Sequence, residues 1–428
     1  MEEKKKAGLF RKYLDFPLVY KIAIGFLFGV VAGIIVGPPV TILKPLGDLF
    51  LRLLRMIVMP LIFFTLVVGA STINPKKLGR IGGKIIVWYF ATSFIAAIIG
   101  ISIGLLVSPG TGFSLEGVEF TAKTPPPFIE TVLSWIPENP FQALTQFDGE
   151  TASGVLPTIL FALMFGIALT YLRSSEKRQQ RDSGETLFKV FDACAEIMYK
   201  IVRAVLEFAP FGVFALIAVV IGKEGFSIFV EYGAIIGAAA LGTAIVILVV
   251  YSGILLAFKI SPLKFLRGGK EAILTAFATR SSSGTLPVTM KCADENFGVN
   301  RSAYSFSLPI GATINMNGTA IYMLVVAVFA ANAVGHVLTV GEMATLVVVA
   351  VMASIGVAGI PMGGLIMLTV TLGSIGLPLQ VVGVIAGIDV ILDMIRTLGN
   401  VTGDLVCTLV VSKSEDLIDF DKGVWKKD

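Results

Sequence analysis

The sequence predicts an all-α protein that crosses a lipid bilayer several times. Of its 428 residues, 55% are hydrophobic and only 15% are charged, and the mean hydropathy is +0.86. A soluble domain cannot bury so large a share of apolar side chains, so lipid must surround most of the chain. Short polar interruptions in the second half of the chain further indicate helices that break within the membrane.

The composition argues against several other classes of protein. The basic residues behind the formal charge of +4 lie in a few short stretches rather than in a nucleic-acid-binding patch. Three separated cysteines without a CxxC pair, together with one histidine, predict neither a disulfide framework nor a zinc site. The first apolar run is too long for a signal peptide and has no clear cleavage site, so we expect it to be retained. We expect no cofactor and no nucleic-acid partner.

Six stretches before residue 260 are apolar enough to span a bilayer, which takes about 20 residues. Basic residues gather before the first stretch and after the second, fourth and sixth, whereas the other loops are acidic or sparsely charged. This alternation places the N-terminus in the cytoplasm. The six stretches are residues 19–36, 46–70, 85–107, 155–172, 197–221 and 234–258.

After residue 270 the apolar segments become short and contain small polar residues. Residues 262–293 predict a hairpin with two arms of roughly 10 to 12 residues, each too short to cross, and residues 340–378 predict a second hairpin. Between them, residues 303–331 form a long segment broken by GATINMNGT, and a last helix is expected over 381–411. Irregular backbone at membrane depth must be buried in protein or line a water-filled cavity. Three breaks therefore predict inverted repeats that share one internal site, with a hairpin entering from each side.

The last predicted helix carries ionisable side chains on one face. Asp389, Asp393, Arg396, Asn400 and Asp404 follow one another at spacings of 4, 3, 4 and 4 residues. Ionisable groups are costly inside a membrane and usually pair, face a cavity and serve transport. A structural ion pair between Asp393 and Arg396 is the alternative interpretation, although it would leave the other carboxylates of this face without a basic partner.

These side chains match the groups of an acidic amino acid. Arg396 can hold a carboxylate through two parallel hydrogen bonds, and Asp393 can accept hydrogen bonds from an ammonium group. Ser281, Ser282 and Ser283 can offer backbone N–H groups at the start of a half-helix, where the helix dipole favours an anion. An ordinary helix-breaking turn and a serine nucleophile are the alternative interpretations of these serines.

The break at residues 311–319 also predicts a site for a hard cation. Sodium prefers oxygen ligands, and unwound backbone at half-helix ends presents carbonyl oxygens. Asn315 lies in this break, and Asp404 follows Asn400 by one helical turn. Broken helices also occur in channels and in proton-driven transporters, so the pattern does not by itself identify the ion.

Four motifs resemble the glutamate/aspartate and dicarboxylate symporter family, and look closest to its archaeal aspartate transporters. They are TRSSSGTLPVT at 279–289, GATINMNGTA at 311–320, SIGVAGIP at 354–361 and DMIRTLGNVTGD at 393–404. The resemblance covers nearly the whole chain. It implies eight membrane spans, two re-entrant hairpins, a homotrimer and an elevator motion of a transport core against a scaffold.

The resemblance also divides the chain into parts of the scaffold and of the transport core. The scaffold helices would occupy residues 1–75, 131–185 and 186–225. The transport core would begin with the third helix and its outer loop at 76–130, followed by the sixth helix at 226–260. The rest would comprise the first hairpin at 261–298, the broken seventh helix at 299–335, the second hairpin as outer gate at 336–378, the eighth helix at 379–412 and a cytoplasmic tail at 413–428.

Residue by residue, the resemblance implies a substrate site and three sodium sites. The substrate contacts carry onto Ser282, Thr319, Gly359, Ile360, Asp393, Arg396, Thr397 and Asn400. One sodium site carries onto Gly311, Asn315, Asn400 and Asp404, and a second, mainly through carbonyls, onto Thr313, Ser354, Ile355 and Val357. The third carries onto Tyr89, Thr92, Ser93 and Asn315, together with the position of Asn317.

The sequence departs from the family at the third sodium site. Sodium-coupled members carry aspartate in the motif NMDGT, whereas this chain has Asn317. A carboxamide still offers an oxygen but lacks the charge that helps to dehydrate a cation, so occupancy of this site is an open question. Val357 replaces a threonine of the motif SIGTAG, which matters little if the ligand there is a backbone carbonyl.

The expected function is uptake of L-aspartate or L-glutamate across the cell membrane by cation symport, with sodium as the expected ion and no enzymatic activity. A sodium-independent or proton-coupled carrier of the same substrates is one alternative. A substrate-independent ion channel and an intramembrane hydrolase built on the serines are alternatives from other classes. The expected partners are the bilayer and two further copies of the chain, with both termini in the cytoplasm.

Overall fold

A computed structural model of the chain describes residue 16 and residues 18–71, 75–113, 133, 136–145, 155–225, 228–355 and 362–426. Within these residues the regular structure is helical, apart from one antiparallel bridge between Val299 and Ile418. The prediction of an all-α protein is confirmed. The basic N-terminal lead-in and the tip of the second hairpin at 356–361 lie outside the described residues.

The first part of the chain forms long apolar helices separated by short connections. In order they are α1 (Leu18–Val36), α2 (Lys44–Ser71), α3 (Pro75–Val107), α4 (Pro140–Thr145), α5 (Val155–Arg173), α6 (Arg178–Glu224), α7 (Ile228–Ile245) and, after a π-helical turn at Val246–Tyr251, α8 (Ser252–Ala257). Helix α6 begins well before the expected residue 197. Its first turns are polar and amphipathic, so a search of the sequence for apolar stretches detects only the later part of this continuous helix.

The second part contains paired shorter helices. They are α9 (Pro262–Thr279), α10 (Ser282–Lys291), α11 (Arg301–Ile314), α12 (Asn317–Ala333), α13 (Val340–Ile355), α14 (Gly363–Gly373), α15 (Gln380–Ala386) and α16 (Asp389–Ser414). The first hairpin arm has 18 residues, more than expected, because its polar first half is also helical. The expected last helix is divided at residues 387–388, where Gly387 packs against the ring of Phe26.

Several helices have the length and composition of membrane spans. Five in the described part of the chain are long and apolar enough to cross a bilayer: Ile81–Val107, Arg178–Lys223, Ile228–Ala257, Arg301–Ala333 and Asp389–Ser414. Shorter apolar helices accompany them, among them Tyr20–Val36 and Pro157–Arg173. This content agrees with a multi-pass membrane protein.

The helices pack in two groups. Helix α6 packs along α1 and α2, and α5 packs against α2 and α6. In the other group, α12 is the centre and contacts α3, α7, α13, α14 and α16. Residues 314–331 of this central segment are all buried. Polar side chains link helices inside each group: Lys21 pairs with Glu207 in the first, and Ser93 donates to Asn317 in the second.

Small residues allow α1 to lie unusually close to α6. A Cβ atom added to Gly25 would lie 2.3 Å from the carbonyl oxygen of Pro210, and one added to Gly29 would lie 2.7 Å from that of Phe214. Lys21 on the same helix pairs with Glu207 of α6. The backbone contact therefore requires glycine at these positions.

This contact predicts a large effect of one added methyl group. Gly25→Ala should lower the free energy of unfolding by about 1–3 kcal/mol, since overpacking forces the two backbones apart. The melting temperature of the purified protein in detergent would measure this loss. The control is Gly233→Ala in α7, where an added Cβ meets nothing within 4 Å. Equal melting temperatures for the two variants would contradict the packing argument.

Candidate functional site

The helix breaks meet along one face of α16. The backbone N–H of Met362, just before α14, donates to Asp393 Oδ2 at 2.9 Å. The N–H of Gly318, at the start of α12, donates to Asn400 Oδ1 at 2.8 Å. Arg280, between α9 and α10, interacts electrostatically with Asp393. The structure therefore brings the breaks predicted from the sequence to one buried polar region.

Arg396 lies at the centre of this region and is held by two carboxylates. Its Nε donates to Asp393 Oδ1 at 2.8 Å, and its Nη1 donates to Asp389 Oδ1 at 2.8 Å. Nη2 makes a longer contact of 3.4 Å to the second oxygen of Asp389. All three residues are at most 2% exposed. Two buried carboxylates thus face one guanidinium group, which leaves the cluster with a formal charge of −1.

Two neighbours fix the plane of the guanidinium group. Arg396 Cζ lies 4.9 Å from the ring centre of Tyr322, a distance at which a cation is attracted to an aromatic face. A Cβ atom added to Gly364 would lie only 2.7 Å from Arg396 Cζ. Tyr322 and the backbone of Gly364 therefore form two walls of the arginine pocket.

Asp393 connects the arginine to the second hairpin. Besides Arg396, it accepts the N–H of Met362, which has a left-handed φ of 61° at the start of α14. Thr397 makes a long contact of 3.5 Å to the same carboxylate. Asp393 therefore faces the positive end of a helix dipole as well as a guanidinium group.

Asn400 attaches the broken helix to α16. Its Oδ1 accepts the N–H groups of Gly318 and Thr319, and its Nδ2 donates to Thr319 Oγ1 at 3.2 Å. A Cβ atom on Gly318 would lie 2.2 Å from the carbonyl oxygen of Arg396. This close backbone approach explains why glycine follows the break.

The tip of the first hairpin presents a helix N-terminus. Ser281 Oγ accepts the N–H of Gly284 at 2.9 Å and so caps α10. Ser282 is buried, whereas Ser283 is exposed. Arg280 has a left-handed φ of 56° and forms no ion pair with the described acidic residues. The tip thus combines backbone N–H groups with a cation that interacts electrostatically with Asp393.

Asp404 is a buried carboxylate with few partners. It accepts one hydrogen bond, from Asn315 Nδ2 at 2.9 Å, and no basic side chain described by the structure lies within ion-pair distance. A Cβ atom added to Gly311 would lie 2.7 Å from Asp404 Oδ1, so the break passes directly beside the carboxylate. Burying an uncompensated charge is costly. A cation here would remove that cost.

A second polar cluster surrounds Asn317. Its Oδ1 accepts the hydroxyl of Ser93 at 2.7 Å, and its Nδ2 donates to the hydroxyl of Tyr251 at 2.6 Å. Thr92 donates to Asn315 Oδ1 at 3.2 Å, and Tyr89 donates to a backbone carbonyl of α11. The side-chain amide of Asn317 thus has a partner on each side without a cation.

The remaining predicted cation ligands are less closely connected. Thr313 and Ser354 donate their hydroxyl groups to carbonyl oxygens of their own helices. Ile355 packs against the apolar cluster that includes Ile314. Gly359, Ile360 and Val357 lie outside the described residues. Clusters of three or more histidine, cysteine or acidic side chains that could hold a metal do not occur in the described ranges.

Three residues enter the site that the sequence did not assign to it: Tyr322, Tyr251 and Gly364. The sequence placed Asp389 on the polar face of α16 without a substrate role, and the structure shows it as the second partner of Arg396. Tyr322 and Tyr251 lie in apolar segments where aromatic residues usually only pack. Their position beside Arg396 and Asn317 depends on how separate helices meet, which the local sequence does not reveal.

Comparison with known proteins identifies similar chains over nearly the full length. The sequence model of the sodium:dicarboxylate symporter family matches residues 18–414. The chain is 33% identical over 420 residues to the proton/sodium-glutamate symport protein of Geobacillus stearothermophilus, covering 95% of this chain and 96% of the relative.

Two further relatives come from other groups of organisms. The proton/glutamate-aspartate symporter of Escherichia coli (strain K12) is 32% identical over 438 residues, with 96% of each chain covered. Excitatory amino acid transporter 3 of Mus musculus is 32% identical over 418 residues, covering 86% of this chain and 78% of the relative.

The hydrogen bond between Asn317 and Tyr251 gives a prediction about stability. Tyr251→Phe should lower the free energy of unfolding by about 1–3 kcal/mol, because it leaves a buried amide donor without an acceptor. Chemical or thermal unfolding of the purified protein measures this change, with exposed Tyr171→Phe as the control. In an Asn317→Leu background the same substitution should cost much less. A Tyr251→Phe protein as stable as the wild type would show that the bond contributes nothing.

Proposed function

The chain belongs to the sodium:dicarboxylate symporter family, and from that premise we propose that it is a secondary active transporter that takes up L-aspartate or L-glutamate by cation symport. The observation that carries the proposal is the buried Arg396, held by Asp389 and Asp393 beside three helix breaks. A site with these groups binds a small zwitterion that carries an additional carboxylate. The family is one of transporters rather than enzymes.

The chemistry of each group suggests how the substrate is oriented. The side-chain carboxylate of the substrate would replace Asp389 at the guanidinium fork of Arg396, because both offer two oxygens to the same donors. The ammonium group would bind Asp393, which would exchange the N–H of Met362 for a charged donor. The α-carboxylate would lie at the N-terminus of α10, where Ser282 and its neighbours offer backbone N–H groups.

Polar residues around this position would complete the substrate site. Thr319, Thr397 and Asn400 are buried within the same cluster and carry hydroxyl or amide groups. Gly359 and Ile360 would close the site from the second hairpin, which we propose as the outer gate. Release of substrate would then require this hairpin to move away from Asp393.

The net charge of the site explains why a cation should accompany the substrate. The cluster of Asp389, Asp393 and Arg396 has a formal charge of −1, which Arg280 at the first hairpin tip offsets in part, and an acidic amino acid adds another negative charge. Negative charges in a medium of low dielectric repel one another strongly. A cation bound at Asp404, with Asn315, Asn400 and the carbonyl oxygen of Gly311 nearby, would offset that repulsion. We propose sodium for this site.

The cluster around Asn317 supports a lower number of sodium ions. Tyr89, Thr92, Ser93 and Asn315 surround a neutral amide whose hydrogen bonds are satisfied within the protein. A cation would have to displace these bonds without the help of a negative charge. This observation favours the second candidate, a carrier of the same substrates that depends less on sodium or uses protons; names of relatives include both ions.

The packing of the helices is consistent with an elevator motion. The group of α1, α2, α5 and α6 would be the scaffold, and the group centred on α12 would carry the substrate. Where they meet, Leu216 and Phe26 pack against Gly383 and Gly387 rather than against polar partners. Apolar contacts of this kind would let one group slide past the other.

We also propose the arrangement in the membrane that the family implies. It comprises eight spans, two re-entrant hairpins related by inverted repeats, cytoplasmic termini and a homotrimer in the plasma membrane. The five long apolar helices and the shorter ones beside them support the spans. A substrate-independent channel is disfavoured, because a pore has no use for an ammonium-binding carboxylate paired with a carboxylate-binding arginine.

The proposed role of Arg396 is tested by binding. Arg396→Ala should weaken L-aspartate binding by about 100-fold or more, since truncating one partner of a buried charge pair costs about 2–5 kcal/mol. Isothermal titration calorimetry measures the affinity. Arg396→Lys keeps the charge but loses the planar fork, so it should be intermediate, and exposed Arg267→Ala should bind like the wild type. Unchanged aspartate affinity in folded Arg396→Ala would refute the assignment.

The proposed role of Asp404 is tested by replacing the ion. L-Aspartate should bind the wild-type protein about tenfold or more tightly in sodium than in choline, because the cation offsets the repulsion between carboxylates. Asp404→Asn should remove most of this sodium dependence, whereas Asp294→Asn, at the exposed end of the first hairpin, should retain it. Equal wild-type affinity in sodium and choline would exclude sodium and leave proton coupling to be tested by transport at two pH values.

A further inference from the structure

The end of the chain folds back onto the base of the first hairpin. We call residues 415–426 the C-terminal strap. The N–H of Asn300 donates to the carbonyl oxygen of Leu417 at 2.8 Å, and the N–H of Asp419 donates to that of Gly298 at 2.9 Å. Together with the bridge between Val299 and Ile418, these bonds form a short antiparallel pairing. The strap therefore lies along the segment that follows α10.

Trp425 anchors the strap. It is only 8% exposed, and its Nε1–H donates to the carbonyl oxygen of Phe297 at 2.8 Å. The Trp425 ring lies 6.0 Å from that of Phe297, which stacks on Phe265 of α9 at 5.7 Å. These three aromatic rings join the strap to both arms of the first hairpin at their base.

Glycine permits the close contacts of this anchor. A Cβ atom on Gly268 of α9 would lie 2.5 Å from the ring of Phe297. Gly423 has a positive φ of 54°, and a Cβ atom there would lie 2.0 Å from the carbonyl oxygen of Asn296. Such a fit, together with a buried tryptophan, shows a built interface rather than a loose polar tail.

The strap also joins the hairpin base to α16. It follows directly from this helix, and Phe420 covers Lys413, whose Nζ donates to the carbonyl oxygen of Lys259 just before α9. Lys84 of α3 pairs with Glu415 at the first residue of the strap. The base of the hairpin and the helix that carries Arg396 are therefore fastened together.

The tip of the hairpin depends on how its base is held. Helix α9 has 18 residues and is about 27 Å long, so a rotation of about 4° at its base displaces the tip by about 2 Å. The tip carries Ser281 to Ser283 and Arg280, which interacts electrostatically with Asp393. A displacement of this size would move the N–H groups of α10 out of hydrogen-bonding range of a substrate carboxylate.

We propose that Trp425 is a positioning residue, which fixes the tip of the first hairpin against α16 and so holds the anion-binding N–H groups in place. The inference rests on the proposed function for the identity of the substrate. The fastening of the hairpin itself does not depend on that function.

The test is hydrogen–deuterium exchange of the purified full chain, with Trp425→Ala, Trp425→Phe and Lys426→Ala compared with the wild type without substrate. Exchange of amides in residues 282–288 should become about tenfold faster in Trp425→Ala, equivalent to about 1.4 kcal/mol less resistance to opening. Trp425→Phe keeps a ring but loses the N–H group, so its effect should be smaller. Exposed Lys426→Ala should exchange like the wild type.

Calorimetry on the same proteins separates positioning from general stability. Trp425→Ala should weaken L-aspartate binding while exchange in α1 and α6 stays unchanged. Faster exchange confined to residues 292–300 and 415–426, with an unchanged tip, would overturn the proposal. If Trp425→Ala does not fold, the tip exchange of Trp425→Phe decides the question. A wild-type protein that binds no aspartate would refute the proposed substrate, whereas faster tip exchange in Trp425→Ala would still support the role of the strap.

Discussion

The guanidinium group of Arg396 is the interaction on which the rest of the site depends. It lies in a buried cluster with Asp389 and Asp393, where every charge must be balanced and every donor must be satisfied. Holding this cluster requires glycine at two close approaches, Gly318 and Gly364. It also requires helix N-termini nearby, which the breaks before α12 and α14 provide. The broken helices and the arginine therefore form one arrangement, since neither would be stable in lipid alone.

The same arrangement gives a physical reason for coupling. If this cluster binds an acidic substrate, the added negative charge would make substrate and cation each bind more favourably in the presence of the other. Asp404 is buried and accepts one hydrogen bond from the described residues, so a cation there would compensate its charge. Asn317 differs from Asp404, because its side chain is neutral and forms hydrogen bonds with Ser93 and Tyr251 directly. The two clusters therefore differ in formal charge.

The sequence predicted the features that depend on local pattern. The helical class, the breaks and the polar face of α16 follow from hydropathy and from spacings of three and four residues, and the structure confirms the helical class and brings the breaks together. The sequence did not predict the contact between Tyr251 and Asn317, because it joins helices that are far apart in the chain. The strap was also missed: its polar composition indicates a solvated tail, and only the docking of Trp425 onto Phe297 shows otherwise.

The most direct measurement compares three ligands on the wild-type protein. Calorimetric titration with L-aspartate, L-asparagine and succinate at equal sodium concentration removes one charged group at a time. If Arg396 binds the side-chain carboxylate and Asp393 the ammonium group, L-asparagine and succinate should each bind about 100-fold or more weakly than L-aspartate, because each leaves a buried charge unpaired. Comparable affinity for L-asparagine would contradict the central role of Arg396, and comparable affinity for succinate would contradict that of Asp393.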